Sequence, residues 1–388
     1  MRLPTLLLIS SLSVMAGAAI APSLPELARA FGAQADAELW VRRILTVPAL
    51  SAAVGGPFVG VVLDRFGRRP LLLAALVLYA IAGTAGLYLP SLWWLLTSRV
   101  LMGFALTAII TAATTLIADY WEEAERGRVL GLQAGFSGFA GVFYLIGGGY
   151  LSDLHWRAPF ALYAVAAVCL PLAWLHLPEV WERPTRADAP GAVAGAEFPP
   201  LYKLAIVYSL ALLLMVSFFL VPLYLPFRLE SIVEIDASRV GMLLGTTNLC
   251  FALAALLYRR MSGLFRVSAL FAGGFAILGS GLLLLGRAQS IPTMFPGLIL
   301  GGAGLGILIP NLNVWATRGL DLLVRGRVVG GLSTALYLGQ FLAPLVAQPL
   351  VERVGLDGGF RIYGYIHGGM ALLFAVRAFR RRGAPVIG

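Results

Sequence analysis

The chain contains several long apolar runs without a single charge, and these runs restrict its fold more than any other feature. Residues 204–227, 267–286 and 328–351 are clear examples. Each is as long as the roughly 20 residues that a helix needs to cross a bilayer. Only 12% of all residues are charged, roughly half the share found in soluble domains, and a soluble helix would need a polar face. We therefore predict an all-α membrane protein.

Charged or Pro/Gly-rich breaks divide the chain into twelve predicted transmembrane helices. Six lie in residues 1–178 and six in residues 201–388, which end in a basic tail. The break between them, residues 179–200, is rich in proline, charge and small side chains, which favours a cytoplasmic linker. Residues 3–21 also have the composition of a signal peptide. We expect them to form a retained first helix, because their removal would leave an odd number of spans.

A short sequence repeat links the two halves. The hexapeptide RGRVLG at residues 126–131 recurs as RGRVVG at residues 325–330, an offset of 199 positions. Each copy opens the fifth predicted helix of its half, and the same offset takes Gly103 to Gly302. Parallel internal repeats of this kind are typical of transporters built from two related bundles. The repeat predicts two pseudo-symmetric six-helix bundles.

The net charge of +10 is spread over short clusters between the apolar runs. A cytoplasmic N-terminus places roughly twice as many basic residues on the cytoplasmic side as on the other, as the positive-inside rule requires. We therefore expect both termini in the cytoplasm. The basic tail is expected to contact anionic lipid headgroups rather than nucleic acid. Cys169 and Cys250 lie in apolar runs and predict no disulfide framework.

A charged loop joins the second and third predicted helices. Its sequence, GVVLDRFGRR at residues 60–69, has the spacing of the G-x-L-x-D-R-x-G-R-R loop of the major facilitator superfamily, with Val62 at the Leu position. The chain therefore resembles that family. The resemblance implies that this loop latches the cytoplasmic side: Asp64 would meet the N-terminus of the eleventh helix, where an anion is stabilised. Gly60 and Gly67 would allow the backbones to approach closely.

The arginines of this loop, Arg65, Arg68 and Arg69, belong to the same predicted latch. The resemblance implies that Arg65 reaches an acid at the inner end of the fourth helix, such as Asp119 or Glu122. The corresponding loop of the second half contains no acid. The latch is therefore expected in the first half alone.

The fourth helix carries a second resemblance. Residues 99–103, RVLMG, are similar to the family's R-x-x-Q-G motif, with Met102 in place of Gln. An arginine inside the membrane is costly unless it faces water or an acid, so we predict a coupling role for Arg99; the alternative is that it extends to the outer interface. The fifth helix has the Gly-Gly pair of proton-antiporting members at residues 148–149, but Tyr-Leu at residues 144–145 where they have Gly-Pro.

Uncharged polar and aromatic residues recur near mid-membrane and predict a binding cavity for a moderately polar organic solute. Singly, each polar residue suits a bond between helices equally well. The predicted substrate-binding residues are Phe219, Tyr144, Asn248, Asn311, Asn313, Tyr337 and Gln340. No acid lies at the centre of any span. The candidates for proton coupling are therefore Glu26, near the outer end of the first helix, and Asp119, at the inner end of the fourth.

Together these features predict a secondary active transporter that works by alternating access in the bacterial inner membrane. The resemblance is strongest to drug/proton antiporter-type exporters, which favours proton-coupled efflux by a monomer. The alternatives are a proton-coupled importer of a metabolite or metal chelate, and a non-transporting scaffold or sensor on the same fold. No nucleotide loop, zinc spacing or nucleophile motif occurs, so we expect neither an enzyme nor a cofactor or metal site.

Overall fold

The computed structural model describes residues 1–32, 36–179, 199–232, 235–320 and 322–380, apart from the side chains at positions 57, 64, 123, 124, 322, 323 and 380. The predicted linker, at residues 180–198, and the end of the basic tail lie outside these residues. Within them the chain forms twelve long helical segments, as predicted. They are α1 (Arg2–Ala18, continued by the 3-10 turn Ala21–Ser23 and by Leu24–Ala30), α2 (Ala37–Phe66), α3 (Arg68–Thr84), α4 (Leu92–Tyr120), α5 (Glu123–Leu154), α6 (Ala158–Ala164 and Val165–His176), α7 (Leu201–Ile232), α8 (Ala237–Leu264), α9 (Val267–Leu285), α10 (Ile291–Thr317), α11 (322–354) and α12 (356–380).

Ten stretches of the described residues are long and apolar enough to cross a membrane. One of them, Val324–Phe379, contains both α11 and α12. Large apolar side chains point outwards along the helices; Trp93 and Trp94, for example, are 61% and 63% exposed. An apolar outer surface of this extent is stable against lipid rather than water.

Among the described residues three glycines with positive φ lie between consecutive helices, Gly67, Gly319 and Gly355. Gly355 has φ 75° and ψ 169° and breaks the helical path between α11 and α12. Gly67 has φ 91° and ends α2 directly before α3. A side chain would be strained at such φ values, so glycine allows each pair of helices to reverse direction without a longer loop.

The helices form two pseudo-symmetric six-helix bundles, α1–α6 and α7–α12. In the first bundle α4 crosses α2 at Gly103, where a Cβ would overlap the carbonyl oxygen of Pro48. In the second bundle α10 crosses α8 at Gly302, where a Cβ would overlap the carbonyl oxygen of Thr247. Both the glycines and the carbonyls differ by the 199 positions of the sequence repeat. The repeat therefore reflects equivalent helix packing.

We call the face of the molecule that contains Gly67 and Phe265 the terminal face, because the described chain begins and ends there. The face that contains His155, Asp236 and Gly355 is the distal face. All helix ends of the described chain lie at one of these two faces, since consecutive segments alternate in direction.

The two bundles meet at the distal face and separate towards the terminal face. On α2, Arg42, Ala49 and Gly56 recur every seven residues and so share one side of the helix. Arg42, near the distal end, bonds to Gln348 of α11. Further along the same side, no described atom lies within 4 Å of where a Cβ of Gly56 or Gly60 would be. The space between the bundles therefore widens towards the terminal face.

Candidate functional site

A central cavity of about 430 Å³ lies between the bundles. Eight helices line it, namely α1, α2, α4 and α5 of the first bundle and α7, α8, α10 and α11 of the second. Among the described residues that line it, none carries a charge; the polar and aromatic ones are Ser13, Ser137, Phe218, Phe219, Thr247, Asn248, Phe251, Ser333, Tyr337 and Gln340. Such a lining binds a solute by apolar contact, with a few hydrogen bonds to orient it.

Four of the seven predicted binding residues lie in this cavity: Phe219, Asn248, Tyr337 and Gln340. The amide nitrogen of Asn248 donates to the carbonyl oxygen of Gly138 at 2.8 Å, which ties α8 to α5 across the cavity wall. The helical spacing of Tyr337 and Gln340 places both on the side of α11 that faces the cavity. Their role in substrate binding stays a prediction.

The other three predicted binding residues lie outside the cavity lining, contrary to expectation. Asn311 is fully buried between α8, α9 and α10, where it accepts from Tyr258 at 3.0 Å and donates to the carbonyl oxygen of Val267 at 3.0 Å. Asn313 donates to a carbonyl of its own helix. Tyr144 bonds to Ser11 at 2.7 Å. These polar groups connect helices or bond to their own turn, as buried polar groups in a membrane must.

Several cavity residues were not predicted. Ser13 and Ser137 contribute the polar groups of the first bundle, and Phe251 packs its ring 5.9 Å from that of Phe218. A serine in an apolar helix most often bonds to its own backbone, so neither serine carries a sequence signal of its own. Phe251 follows Asn248 at a three-residue spacing on α8, and that periodicity is the signal that would have found it.

Arg99 faces neither water nor an acid, contrary to the sequence-based prediction. It is fully buried, and its guanidinium donates to the carbonyl oxygens of Ala82 and Gly83 at 2.9 and 2.7 Å. It also lies 5.0 Å from the ring centroid of Tyr163. The guanidinium therefore satisfies carbonyls near the end of α3, which lack partners within their own helix. It is not among the residues that line the cavity.

The two predicted coupling acids lie far apart. Glu26 of α1 accepts a hydrogen bond from Ser152 of α5, near the distal face. Asp119 of α4 pairs with Nε of Arg68 at 3.0 Å, at the terminal face. Neither lines the cavity. A role in coupling stays a prediction for both.

The predicted latch is only partly described. The side chain of Asp64 lies outside the described residues, so its contact with α11 stays a prediction. The acid of α4 pairs with Arg68 rather than with Arg65, whose guanidinium lies instead 5.5 Å from the ring centroid of Phe66. The prediction for Arg65 is therefore wrong. Because Arg68 begins α3 after the turn at Gly67, its side chain and not that of Arg65 points towards α4.

Arg69 extends to the end of α6. Its guanidinium donates to the carbonyl oxygen of Trp174 at 2.6 Å and lies 4.8 Å from the centroid of that ring. Its backbone nitrogen donates to a carboxylate oxygen of Glu179 at 2.9 Å. Arg69 therefore fixes the loop to its own bundle, where the sequence resemblance had suggested a latch between bundles.

Comparison with known proteins identifies the architecture. A model of the Major Facilitator Superfamily matches residues 6–232. The chain is 29% identical over 325 residues to the tetracycline resistance protein, class C, of Escherichia coli, which covers 79% of this chain and 78% of that protein. It is also 29% identical over 405 residues to the class D protein of Salmonella ordonez, with 98% and 97% covered.

The fold itself is similar to solved transporter structures. The inward-open conformation of the xylose transporter XylE from E. coli matches with a TM-score of 0.77 over 96% of each chain, at 15% sequence identity. At this identity the likeness concerns the fold alone.

Proposed function

This chain belongs to the major facilitator superfamily and is a multi-pass membrane transporter; we propose that it exports an organic solute in exchange for protons. The observation that carries this proposal is the similarity to tetracycline resistance proteins over almost the whole chain. The uncharged, aromatic cavity supports it, since a ring-bearing solute of moderate polarity would find both apolar contact and a few hydrogen bonds there.

The proposed membrane is the bacterial inner membrane, with the terminal face in the cytoplasm. The distribution of basic residues supports this orientation. The gap between the bundles at the terminal face would then give cytoplasmic solute access to the cavity. We propose that the transporter acts as a monomer surrounded by lipid, because each chain has a cavity of its own between its two bundles.

Proton coupling requires a group that binds a proton in one conformation and releases it in another. Because the described cavity lining has no acid, we propose Glu26, which bonds to Ser152 beside the interface between the bundles. Opening of the distal face would change the exposure of the Glu26 carboxyl to water and hence its affinity for a proton.

Flux in proteoliposomes tests the proposal, with tetracycline as the first probe. An imposed pH gradient should drive tetracycline against its own gradient, and Glu26→Gln should abolish this response while leaving tetracycline counterflow intact. Counterflow without any response to pH in the parent protein would remove proton coupling and keep the transporter.

The alternative of a proton-coupled importer predicts a different result in the same vesicles. Solute and protons would then move in the same direction. Sugars, nucleosides and metal chelates would be the next probes if tetracycline gave no counterflow.

A further inference from the structure

Several pairs of helices join the bundles at the distal face, and the internal repeat relates two of these pairs to each other. The pairs are α2 with α11 and α5 with α8. An offset of 199 positions takes α2 to α8 and α5 to α11. We call these contacts the α2–α11 seam and the α5–α8 seam. If the repeat were perfect, the two seams would make identical contacts.

The α5–α8 seam is closed by backbone against backbone. A Cβ on Gly149 would overlap the carbonyl oxygen of Ala237, and one on Gly241 would overlap the carbonyl oxygen of Leu145. Only glycine permits this approach between helices from different bundles.

The α2–α11 seam is closed by side chains instead. The counterparts of the two glycines are Arg42 and Gln348. Nη1 of Arg42 donates to Oε1 of Gln348 at 2.7 Å, and Nη2 donates to Glu38 at 2.8 Å. The guanidinium lies 4.7 and 4.4 Å from the ring centroids of Tyr224 and Phe227. Only 3% of its surface is exposed, so Arg42 fixes the first bundle, to which it belongs, to the second.

A further contact ends the α5–α8 seam at its distal end. Both carboxylate oxygens of Asp153 lie 3.3 Å from the backbone nitrogen of Ser238, in the first turn of α8. The side chain of the N-cap residue, Asp236, accepts no hydrogen bond from the backbone N–H groups of this turn. A carboxylate from the other bundle therefore binds a free N–H and the positive end of α8. The counterpart of Asp153, Glu352, accepts instead from Gln348 of its own helix at 2.9 Å.

We propose that these two unlike contacts are the latches that hold the distal gate closed. One is the Arg42–Gln348 hydrogen bond of the α2–α11 seam, and the other is the contact of Asp153 with the N-terminus of α8. Arg42 lies one helical turn beyond Leu45, which lines the cavity, so it closes the distal end of the path. The inference rests on the proposed function, because alternating access requires the distal face to open.

Cysteine labelling measures the state of this gate directly. In a background that carries Cys169→Ala and Cys250→Ala, Ser13→Cys places a single thiol in the cavity. A membrane-impermeant maleimide added to the distal side reaches this thiol only while the distal gate is open. The same reagent added to the terminal side of inverted vesicles reports the opposite state. Neither rate depends on a transported solute.

Removal of either latch should raise the rate of labelling from the distal side. Arg42→Gln and Asp153→Asn are each expected to raise the distal labelling rate about tenfold, because each removes the charge from a charge-assisted hydrogen bond that exists in one conformation only. The matched controls are Arg43→Gln and Asp236→Asn, which remove the same charges next to the latches and should label like the parent.

The reciprocal exchange of Arg42→Gln with Gln348→Arg should return the rate to that of the parent. If Arg42→Gln does not fold, Gln348→Met removes the acceptor, keeps the arginine and should raise distal labelling in its place. Parent-like labelling in the latch variants, or an exchange that fails to restore it, would overturn the proposal. Latch-dependent labelling in a protein without solute flux would contradict the proposed function alone.

Discussion

The distal ends of α3 and α9 lie at equivalent places in the two bundles, but different arginines bind them. In the first bundle, Nη1 of Arg157, at the start of α6, donates to the carbonyl oxygens of Gly86 and Leu89 at 3.0 and 2.9 Å. In the second bundle, the counterparts of these two carbonyls accept from Arg228, which belongs to α7. Each acceptor pair is related by the offset of 199 positions, whereas the donors are not.

Arg228 has an ion-pair partner in addition to its two carbonyl acceptors, Leu285 and Ala288. Its Nε lies 2.5 Å from a carboxylate oxygen of Asp357, at the start of α12. The last carbonyls of a helix need hydrogen-bond donors from outside it. The two bundles therefore have equivalent acceptors, but the arginine that donates to them comes from a different helix in each bundle. A guanidinium can approach such a helix end from any neighbouring helix, so its position in the sequence is not restricted.

The largest expected effect concerns these two arginines. Arg228→Leu should lower the free energy of unfolding by about 3 kcal/mol, because it removes a buried charge-assisted network. Arg157→Leu should cost about 1 kcal/mol, since Arg157 is only half-buried and bonds to carbonyls alone. Thermal unfolding of both variants in detergent measures the difference. Equal losses would mean that the ion pair with Asp357 adds nothing.

Substitutions of Gly103 and Gly302, the glycines at which helices cross, test whether the two bundles are packed in the same way. Gly103→Ala and Gly302→Ala should each destabilise by about 1–3 kcal/mol, because each Cβ would overlap a backbone carbonyl. Gly301→Ala is the matched control, since its Cβ would meet no described atom within 4 Å. The same unfolding measurement applies. A loss at one crossing without the other would show that the packing is not shared.

The cavity is expected to depend more on the second bundle than on the first. The first contributes Ser13 and Ser137, whereas the second contributes the rings and the larger polar groups. Phe251→Ala or Gln340→Ala should weaken binding of a transported probe about tenfold. Ser13→Ala should change it less than about twofold, because the hydroxyl of Ser13 donates to the carbonyl oxygen of Ser10 in its own helix and so offers little to a ligand. Titration of each variant with the probe, followed by intrinsic protein fluorescence, measures these affinities. Equal effects in the two bundles would contradict this asymmetry.

The smallest expected effect lies at the terminal face, where Arg68 in the loop of the first bundle pairs with Asp119. Arg68→Gln should destabilise by about 0.5 kcal/mol, because it breaks a partly exposed ion pair with Asp119. Arg65→Gln should leave stability unchanged, since among the described side chains Arg65 lies against the ring of Phe66 and forms no ion pair. Unfolding at low and high salt measures both, and a salt-dependent loss for Arg65→Gln alone would reverse this assignment.

Sequence periodicity identified cavity residues correctly where the side of the helix alone determines whether a residue lines the cavity. Tyr337 and Gln340 share a face of α11, and both line the cavity. Periodicity failed where a neighbouring helix binds the polar group of the residue. Asn311 lies on α10, one of the lining helices, but its amide is taken up by Tyr258 and the carbonyl of Val267.

The partner predicted for Arg99 was wrong for a related reason. A charge in an apolar run predicts a partner, and water or an acid is the partner that a sequence can suggest. Backbone carbonyls are invisible in a sequence, because every residue has one. Only the end of α3, placed beside α4 by packing, shows that Ala82 and Gly83 supply the acceptors.

The amino-acid sequence by itself determined the twelve membrane helices, the internal repeat and the family, because length, hydropathy and motif spacing are properties of the chain alone. The tertiary structure decided which polar groups reach the cavity and how each seam is closed. Gly149 and Gly241 in one seam and Gln348 and Arg42 in the other occupy equivalent positions, yet they close it by backbone contact and by hydrogen bonding. That choice depends on the distance between two helices, which no local pattern encodes.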